Sequence, residues 1–234
     1  MNHPESGQSG SPLLSLADIL SGLLCLIGIL PGLVCYNRLP ARIPIHWNIQ
    51  GHPDDWAPKP FVVFVLPCLM LVMHLLFCVA DSRLARSQSR PVRRLTRLIV
   101  PLIALTCECL AVLYACRLLT DMARTALCLT AALLIVTGNY LPKTRPNHFF
   151  GIRLPWTLAD EEVWRRTHHL GGWLFLVGGV VILILGLTGY TAAAFAVLAV
   201  VAAAPILYSG LLCFRLKKQR DASPHPQNPD GQNG

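Results

Sequence analysis

The sequence has few charged residues. Asp, Glu, Lys and Arg make up only 14% of its 234 residues, whereas ordinary soluble domains carry about 25%. Hydrophobic residues make up 53% and come in runs of roughly twenty, the length that crosses a bilayer as a helix. This balance excludes a soluble domain and indicates an integral membrane protein.

The sequence also lacks the common motifs of catalysis and metal binding. Its nine cysteines form no CxxC pair and no Cys/His zinc spacing, and most lie in apolar runs, where cysteine behaves as a small hydrophobe. GxSxG, HExxH and P-loop motifs are absent as well. We therefore predict no disulfide, no metal, no cofactor and no enzymatic activity.

The apolar runs predict six transmembrane helices, roughly 13–36, 61–80, 98–116, 125–141, 172–190 and 192–214. A signal peptide begins with positively charged residues, but residues 1–12 contain no Lys or Arg. The first run is therefore predicted to stay in the membrane as a helix. In that run Pro31 predicts a bend, and Gly28 with Gly32 forms a GxxxG step that admits a close neighbour.

The net charge of +8 is explained by the orientation of the chain in the membrane rather than by nucleic-acid binding. Fifteen of the twenty Lys and Arg fall in an Arg-rich loop (81–97), a second loop (142–171) and the C-terminal tail (215–234). The positive-inside rule places these segments and both termini in the cytoplasm. The predicted fold is an all-α polytopic bundle of helix pairs, 13–80, 98–141 and 172–214, with disordered ends at 1–12 and after the basic part of the tail.

The loop 37–60 is predicted to be extracytoplasmic and β-like. Ile43, Ile45, Trp47 and Ile49 alternate with polar residues and Pro44, the period of a half-buried strand. His46, His52, Asp54 and Asp55 could together hold a transition metal, but their spacing fits no defined coordination geometry, and solvated loop residues are the preferred interpretation.

The loop 142–171 is the longest polar interruption in the chain. Pro142, Pro146 and Pro155 prevent a continuous helix through its first half. Thr157 followed by Asp160 has the spacing of a capping box, which predicts a helix to about His169 lying on the membrane surface.

Both loops carry the pattern of a known family. The run 143–173 resembles the signature loop of the SdpI family, bacterial membrane proteins named for an immunity and signalling protein against a secreted peptide toxin. The matching residues are Pro146, Asn147, Phe149, Gly151, Ile152, Arg153, Pro155, Trp156, Thr157, Leu158, Glu162, Trp164, Thr167, His168, Gly171 and Gly172. The loop 37–60 is similar to a small domain that often precedes this signature, through Leu39, Pro40, Ile43, Pro44, His46, Trp47, Asn48, Gly51, Pro53, Asp54, Trp56 and Lys59.

The resemblance implies a protein of the bacterial cytoplasmic membrane that protects the cell against a membrane-active peptide. The partners it implies are the lipid bilayer, a peptide toxin and a cytoplasmic transcriptional repressor sequestered at the membrane; a homo-oligomer is a further possibility, and direct nucleic-acid binding is not expected. The predicted binding residues of the signature loop are Asn147, Phe149, Gly151, Arg153, Pro155, Trp156, Glu162, Trp164 and His168. Those of the extracytoplasmic loop are Pro44, His46, Trp47, Asn48 and Gly51.

Two alternatives compete with these interpretations. Arg153 offers a planar fork for carboxylates, phosphates or lipid headgroups, or it pairs with Glu161 or Glu162 to hold the loop. Three ionisable residues, Asp18, His74 and Glu108, lie within the predicted helices. They suggest a proton- or ion-coupled transporter, unless Glu108 is simply a neutral side chain hydrogen-bonded to another helix. An intramembrane enzyme ranks last for want of a motif.

Overall fold

The computed structural model describes residues 14–48, 50–84 and 88–222, with the side chains of 83 and 84 excepted. Within this part of the chain six helices are long and apolar enough to cross a membrane, which confirms the predicted number. Their spans are Leu16–Arg38, Phe61–Ser82, Arg90–Ala115, Met122–Lys143, Glu161–Leu187 and Thr191–Ala222. The predictions of disorder at 1–12 and in the last residues of the tail fall outside the described residues.

The described elements follow in the order α1, α2, β1, β2 and α3 to α8. Their bounds are Leu16–Ile27, Ile29–Cys35, Arg42–Trp47, Pro53–Pro58, Leu66–Leu84, Arg90–Ala115, Met122–Tyr140, Pro155–Ala159, Glu161–Leu187 and Thr191–Ala222. A π-helical turn, Phe61–Val65, opens the second span, and 3-10 turns follow α2 and α5. The fold is therefore all-helical apart from one small sheet.

The first span breaks where its proline requires. Pro31 has no N–H to donate to the carbonyl of Ile27, and its ring crowds that carbonyl. The helix accordingly ends at Ile27, turns at Gly28 and resumes at Ile29. The GxxxG step admits close neighbours, as predicted: a Cβ on Gly32 would lie 2.7 Å from a methyl group of Val63.

The predicted Arg-rich loop is mostly helical, so its predicted bounds of 81–97 are wrong. The helix α3 runs on to Leu84, and α4 begins at Arg90, eight residues earlier than expected. Pro91 lies in the first turn of α4, where its fixed φ favours a helix and its missing N–H costs nothing. The sequence boundary followed hydropathy and missed that the arginines continue the helix.

The surface helix predicted for the second loop does not exist as a separate element. A short helix, α6, is followed by extended backbone at Asp160, and α7 then runs unbroken from Glu161 to Leu187. Asp160, rather than Thr157, is the N-cap of this helix, because its carboxylate accepts hydrogen bonds from the N–H groups of Glu162 and Val163 at 2.9 and 3.1 Å.

The helices pack as two halves. In the N-terminal half, α1 and α2 pack on α3 and α4; in the C-terminal half, α7 packs between α5 and α8. α5 and α7 cross closely, since a Cβ on Gly138 would lie 2.8 Å from the carbonyl oxygen of Gly172. We call the end of the bundle that holds residues 42–58 the hairpin end and the end that holds residues 143–160 the loop end.

The predicted strand is present but irregular. β1 pairs antiparallel with β2, a second strand that the alternation in the sequence does not predict. The register shifts on both sides of His46, so the simple alternation fails. Ile43 is fully buried, but Ile45 is 40% exposed and Pro44 is buried instead. Ile49 lies outside the described residues.

Candidate functional site

The signature loop is held by a buried histidine. His168, on α7, accepts a hydrogen bond from the N–H of Ile152 on Nε2 at 2.9 Å. Its other ring nitrogen, Nδ1, lies 2.8 Å from the carbonyl oxygen of Trp164, so the proton must sit on Nδ1. The ring also stacks on the indole of Trp164, with centroids 3.8 Å apart. His168 therefore holds the loop against α7, and both of its ring nitrogens already have partners within the protein.

The close contact between the loop and His168 requires a glycine at position 151. Its φ is +119°, a conformation that side chains rarely adopt, and an added Cβ would collide with Nε2 of His168. The glycine of the signature therefore serves the close contact between loop and helix.

Asn147 organises the first half of the loop. Its side-chain oxygen accepts hydrogen bonds from the N–H groups of Phe149 and Phe150, both at 2.8 Å. Its amide nitrogen donates to the carbonyl oxygens of Arg145 and Phe150. With both ends of its amide used inside the loop, Asn147 shapes the turn.

Two indoles fasten the rest of the loop to the bundle. Trp164 is 1% exposed and donates from Nε1 to the carbonyl of Thr144 at 3.1 Å. Trp156 donates from Nε1 to the hydroxyl of Ser209 on α8 at 3.0 Å. The prediction that Val163 and Trp164 belong to a helix on the membrane surface is therefore wrong, because both are buried against protein.

The remaining predicted binding residues of the loop divide into packed and exposed ones. Phe149 packs edge-on against Phe77 of α3, and Pro155 opens α6. The carboxylate of Glu162 pairs with its own helix neighbours Arg165 and Arg166. Arg153 is exposed and donates a hydrogen bond to the carbonyl of His148. Its guanidinium is therefore not buried and forms no ion pair with Glu162.

Most of the predicted binding residues in the hairpin also have structural roles. The side-chain oxygen of Asn48 accepts from the N–H groups of Gln50 and His52, and Gly51, with φ at +79°, lies against Ala123 of α5. Trp47 packs edge-on against Tyr114, with centroids 5.4 Å apart. His46 is the exposed member of the set.

The candidate metal residues do not converge. Nδ1 of His46 lies 2.6 Å from Oδ1 of Asp54, while a carboxylate oxygen of Asp55 accepts from the N–H of Trp56. Within residues 14–48, 50–84 and 88–222 no three His, Cys, Asp or Glu side chains are grouped closely enough to hold a metal ion.

Two of the three intramembrane polar residues meet at the loop end. Nε2 of His74 lies 3.1 Å from both the hydroxyl of Ser21 and the carbonyl oxygen of Asp18. The carboxylate of Asp18 is bound by Arg97, which donates from Nη1 to both of its oxygens at 2.7 Å.

Arg97 is the residue that the sequence interpretation missed. Besides Asp18 it also donates from Nε to Asp81 at 2.9 Å, so one guanidinium holds three helices together. The run of charged residues around Arg97 predicts a loop, whereas the structure places it on a helix whose register turns its side chain inward. Its partner Asp81 is only 2% exposed. An acidic residue directly after the second apolar run was the one sign in the sequence that Arg97 has a partner there.

Glu108 lies apart from this cluster, towards the hairpin end. It is eleven residues beyond Arg97 on α4, about 16 Å along the helix axis. The side chain is 4% exposed and reaches the break in the first span, where its Oε2 would lie 3.0 Å from a Cβ on Gly28. It also lines a cavity of about 610 Å³.

Six membrane-length helices joined by a short sheet and a tightly bonded loop define a multi-pass membrane protein. Residues 143–209 match the SdpI/YfhL protein family, and residues 23–71 match a domain of unknown function, DUF1648. The chain is 26% identical over 177 residues to the immunity protein SdpI of Bacillus subtilis (strain 168), an alignment that covers 72% of this chain and 80% of that protein. No solved structure matches the chain.

The resemblance inferred from the two loops is thereby confirmed. The chain is similar to the SdpI/YfhL family in its C-terminal part and to DUF1648 in its N-terminal part, and it is a multi-pass protein of the bacterial cytoplasmic membrane. The first match spans the loop, α7 and more than half of α8. The second runs from the end of α1 through α2 and the hairpin into the first turns of α3.

Proposed function

We propose that the protein is an immunity protein that protects the cell against a membrane-active peptide toxin. The observation that carries this proposal is its similarity to the immunity protein SdpI over most of both chains. Non-enzymatic action fits the same similarity.

The exposed residues of the two loops suggest how recognition is divided between the two ends. At the hairpin end, exposed His46 and the 42% exposed Trp56 offer a surface to a peptide arriving from outside. At the loop end, exposed Arg153, Arg165 and Arg166 offer cationic groups to an acidic partner, such as a sequestered regulator. The second span joins the ends, because its first turn follows the hairpin and its Phe77 contacts Phe149.

The transporter alternative has less support. A relay would need Asp18, His74 and Glu108 to be connected. The His74 ring lies against Gly22 and the Glu108 carboxyl lies against Gly28, six residues and about 9 Å further along the first span, which is too far for a direct hydrogen bond. The charge of Asp18 is also already compensated by Arg97.

The test is survival of a peptide-sensitive bacterium that expresses this chain, challenged with a panel of membrane-active peptide toxins. Arg153→Ala and His46→Ala would be compared with the wild type at equal membrane levels. We expect protection by the wild type, loss of protection in His46→Ala if the hairpin receives the peptide, and retained protection in Arg153→Ala, because that residue lies at the opposite end of the bundle. Absence of protection against every peptide would overturn the proposal.

A further inference from the structure

A cavity of about 610 Å³ lies where the two halves of the molecule meet near the hairpin end. It is lined by β1, the start of the second span, α4 and the first turns of α5. Its volume falls in the range of pockets that bind small ligands, about 300–1,000 Å³. Two of its lining residues, Ile45 and Ile103, are substantially exposed, so the cavity opens to the surface of the bundle.

Two buried polar atoms in the lining have no hydrogen-bond partner in the described part of the chain. One is a donor, Nε1 of Trp47, and the other is an acceptor, Oε1 of Glu108. Buried polar groups in proteins are nearly always hydrogen-bonded, and an unpaired one is more costly still where the surroundings are apolar. The remaining lining is mostly apolar, such as Val62, Met70 and Val100. His46 also lines the cavity, and its Nδ1 is paired with Asp54.

These two atoms specify the chemistry of an occupant. It needs an apolar body to match the walls and a polar group that both donates to a carboxyl oxygen and accepts from an indole N–H. A hydrocarbon would leave both atoms unpaired, and a fatty-acid carboxylate would bring a second acid to Glu108. An amide meets both requirements, because its N–H and its C=O are separate and point in opposite directions.

We propose that this cavity is the binding site for an apolar peptide segment, with a backbone amide hydrogen-bonded to Glu108 and Trp47. The inference rests on the proposed function for the biological source of the peptide, but the binding itself does not require it. Trp47 and Glu108 then act together as positioning groups for the peptide, which explains why an acid lies in the middle of an apolar helix.

The test uses the full chain purified into lipid nanodiscs. The probe is a ten-residue peptide of leucine and alanine, blocked at both ends, that carries one photoreactive leucine. After irradiation, we expect cross-links on the cavity walls, in residues 100–111 and 45–47. N-dodecylacetamide should compete with the probe, whereas dodecane, which has the same alkyl chain without the amide, should not. Competition by dodecanol as strong as that by the amide would instead assign the cavity to a hydroxyl-bearing lipid and overturn the peptide proposal.

Variants separate the hydrogen bonds from the shape of the cavity. Glu108→Leu and Trp47→Phe each remove one polar partner and should weaken labelling about three- to tenfold, the usual effect of one hydrogen bond. Glu108→Gln keeps an acceptor oxygen and should label nearly as well as the wild type. Ala104→Trp fills the cavity and should abolish labelling, while Ala132→Trp, at an exposed position of α5 outside the lining, should not.

The outcomes for the cavity and for immunity can be told apart. Equal labelling of the wild type and of Ala104→Trp, with both proteins monodisperse and folded, would overturn the cavity proposal. The immunity proposal would still stand if the survival assay shows protection. Specific labelling by the probe with no protection against any toxin would retain the site and overturn its assignment to immunity.

Discussion

Arg97 donates from Nη1 to both carboxylate oxygens of Asp18, at 2.7 Å each, across the interface between the first and third spans. Its Nε reaches Asp81 at 2.9 Å, and all three side chains are largely buried. One cation thus compensates two acids from different helices at the loop end. Removing it leaves two buried negative charges without their main partner.

We therefore expect Arg97→Ala to destabilise the protein strongly, by about 3–5 kcal/mol, the range for breaking a buried ion pair. Arg97→Lys should recover part of the loss, because a single ammonium cannot reproduce the planar fork that spans both acids. Unfolding of the purified protein in detergent micelles measures the effect. Arg94→Ala, in the same helix but exposed, is the control, and equal stability of the two alanine variants would refute the bridging role.

Gly151 gives a second prediction, on the loop. Gly151→Ala should lower the unfolding midpoint and expose the loop to protease, because the new Cβ is strained at φ +119° and collides with His168. Gly189→Ala is a matched control, since that glycine also has a positive φ of +86° but open space around it. If the two variants lose the same stability, backbone strain rather than the contact with His168 explains the effect.

Asp160 predicts a pH dependence. Hydrogen bonds from the N–H of Val163 and from Arg220 hold the pKa of the Asp160 carboxyl below its ordinary value. A lowered folded-state pKa means that the ionised group stabilises the fold above the ordinary value, 3.8, and that this stability is lost as the pH falls through the lower folded value.

Asp160→Ala should accordingly cost about 1 kcal/mol at neutral pH through loss of the helix cap. Asp160→Asn keeps a capping oxygen, so it should retain most of that stability and lose the decline specific to this group below pH 4. Thermal unfolding in nanodiscs between pH 3 and pH 7 makes the comparison. A decline that is unchanged in Asp160→Asn would assign the acid sensitivity to other carboxylates.

The orientation of the bundle is open to a direct test. The structure places 88–89 beside the signature loop, since Gln88 donates to the carbonyl of Arg145 at 2.6 Å, and it places the hairpin at the other end. The positive-inside rule puts the loop end in the cytoplasm. A reporter enzyme active only outside the cytoplasmic membrane should work when fused after residue 52 and fail when fused after residue 148. The reverse pattern would invert the topology.

The sequence by itself determined the number of spans, because runs of about twenty apolar residues need no tertiary information to be recognised as helices. It also determined the break near Pro31, the first strand of the hairpin and the family of the two loops, since each depends on local chemistry or on residues close together in the chain. Helix ends were less predictable: α4 and α7 begin well before their apolar runs, because charged residues continue a helix that hydropathy does not detect.

Only the tertiary structure decided what the polar residues do. Asn147 and His168 were expected to bind a partner, yet both use their hydrogen bonds within the protein. Arg97 was expected in a loop and instead compensates Asp18, a residue 79 positions away. Such roles depend on which helix faces meet, and helix packing is a long-range property that spacing along the chain does not specify. The same packing brings Trp47 of β1 and Glu108 of α4 to one cavity, a pairing that no spacing along the chain predicts.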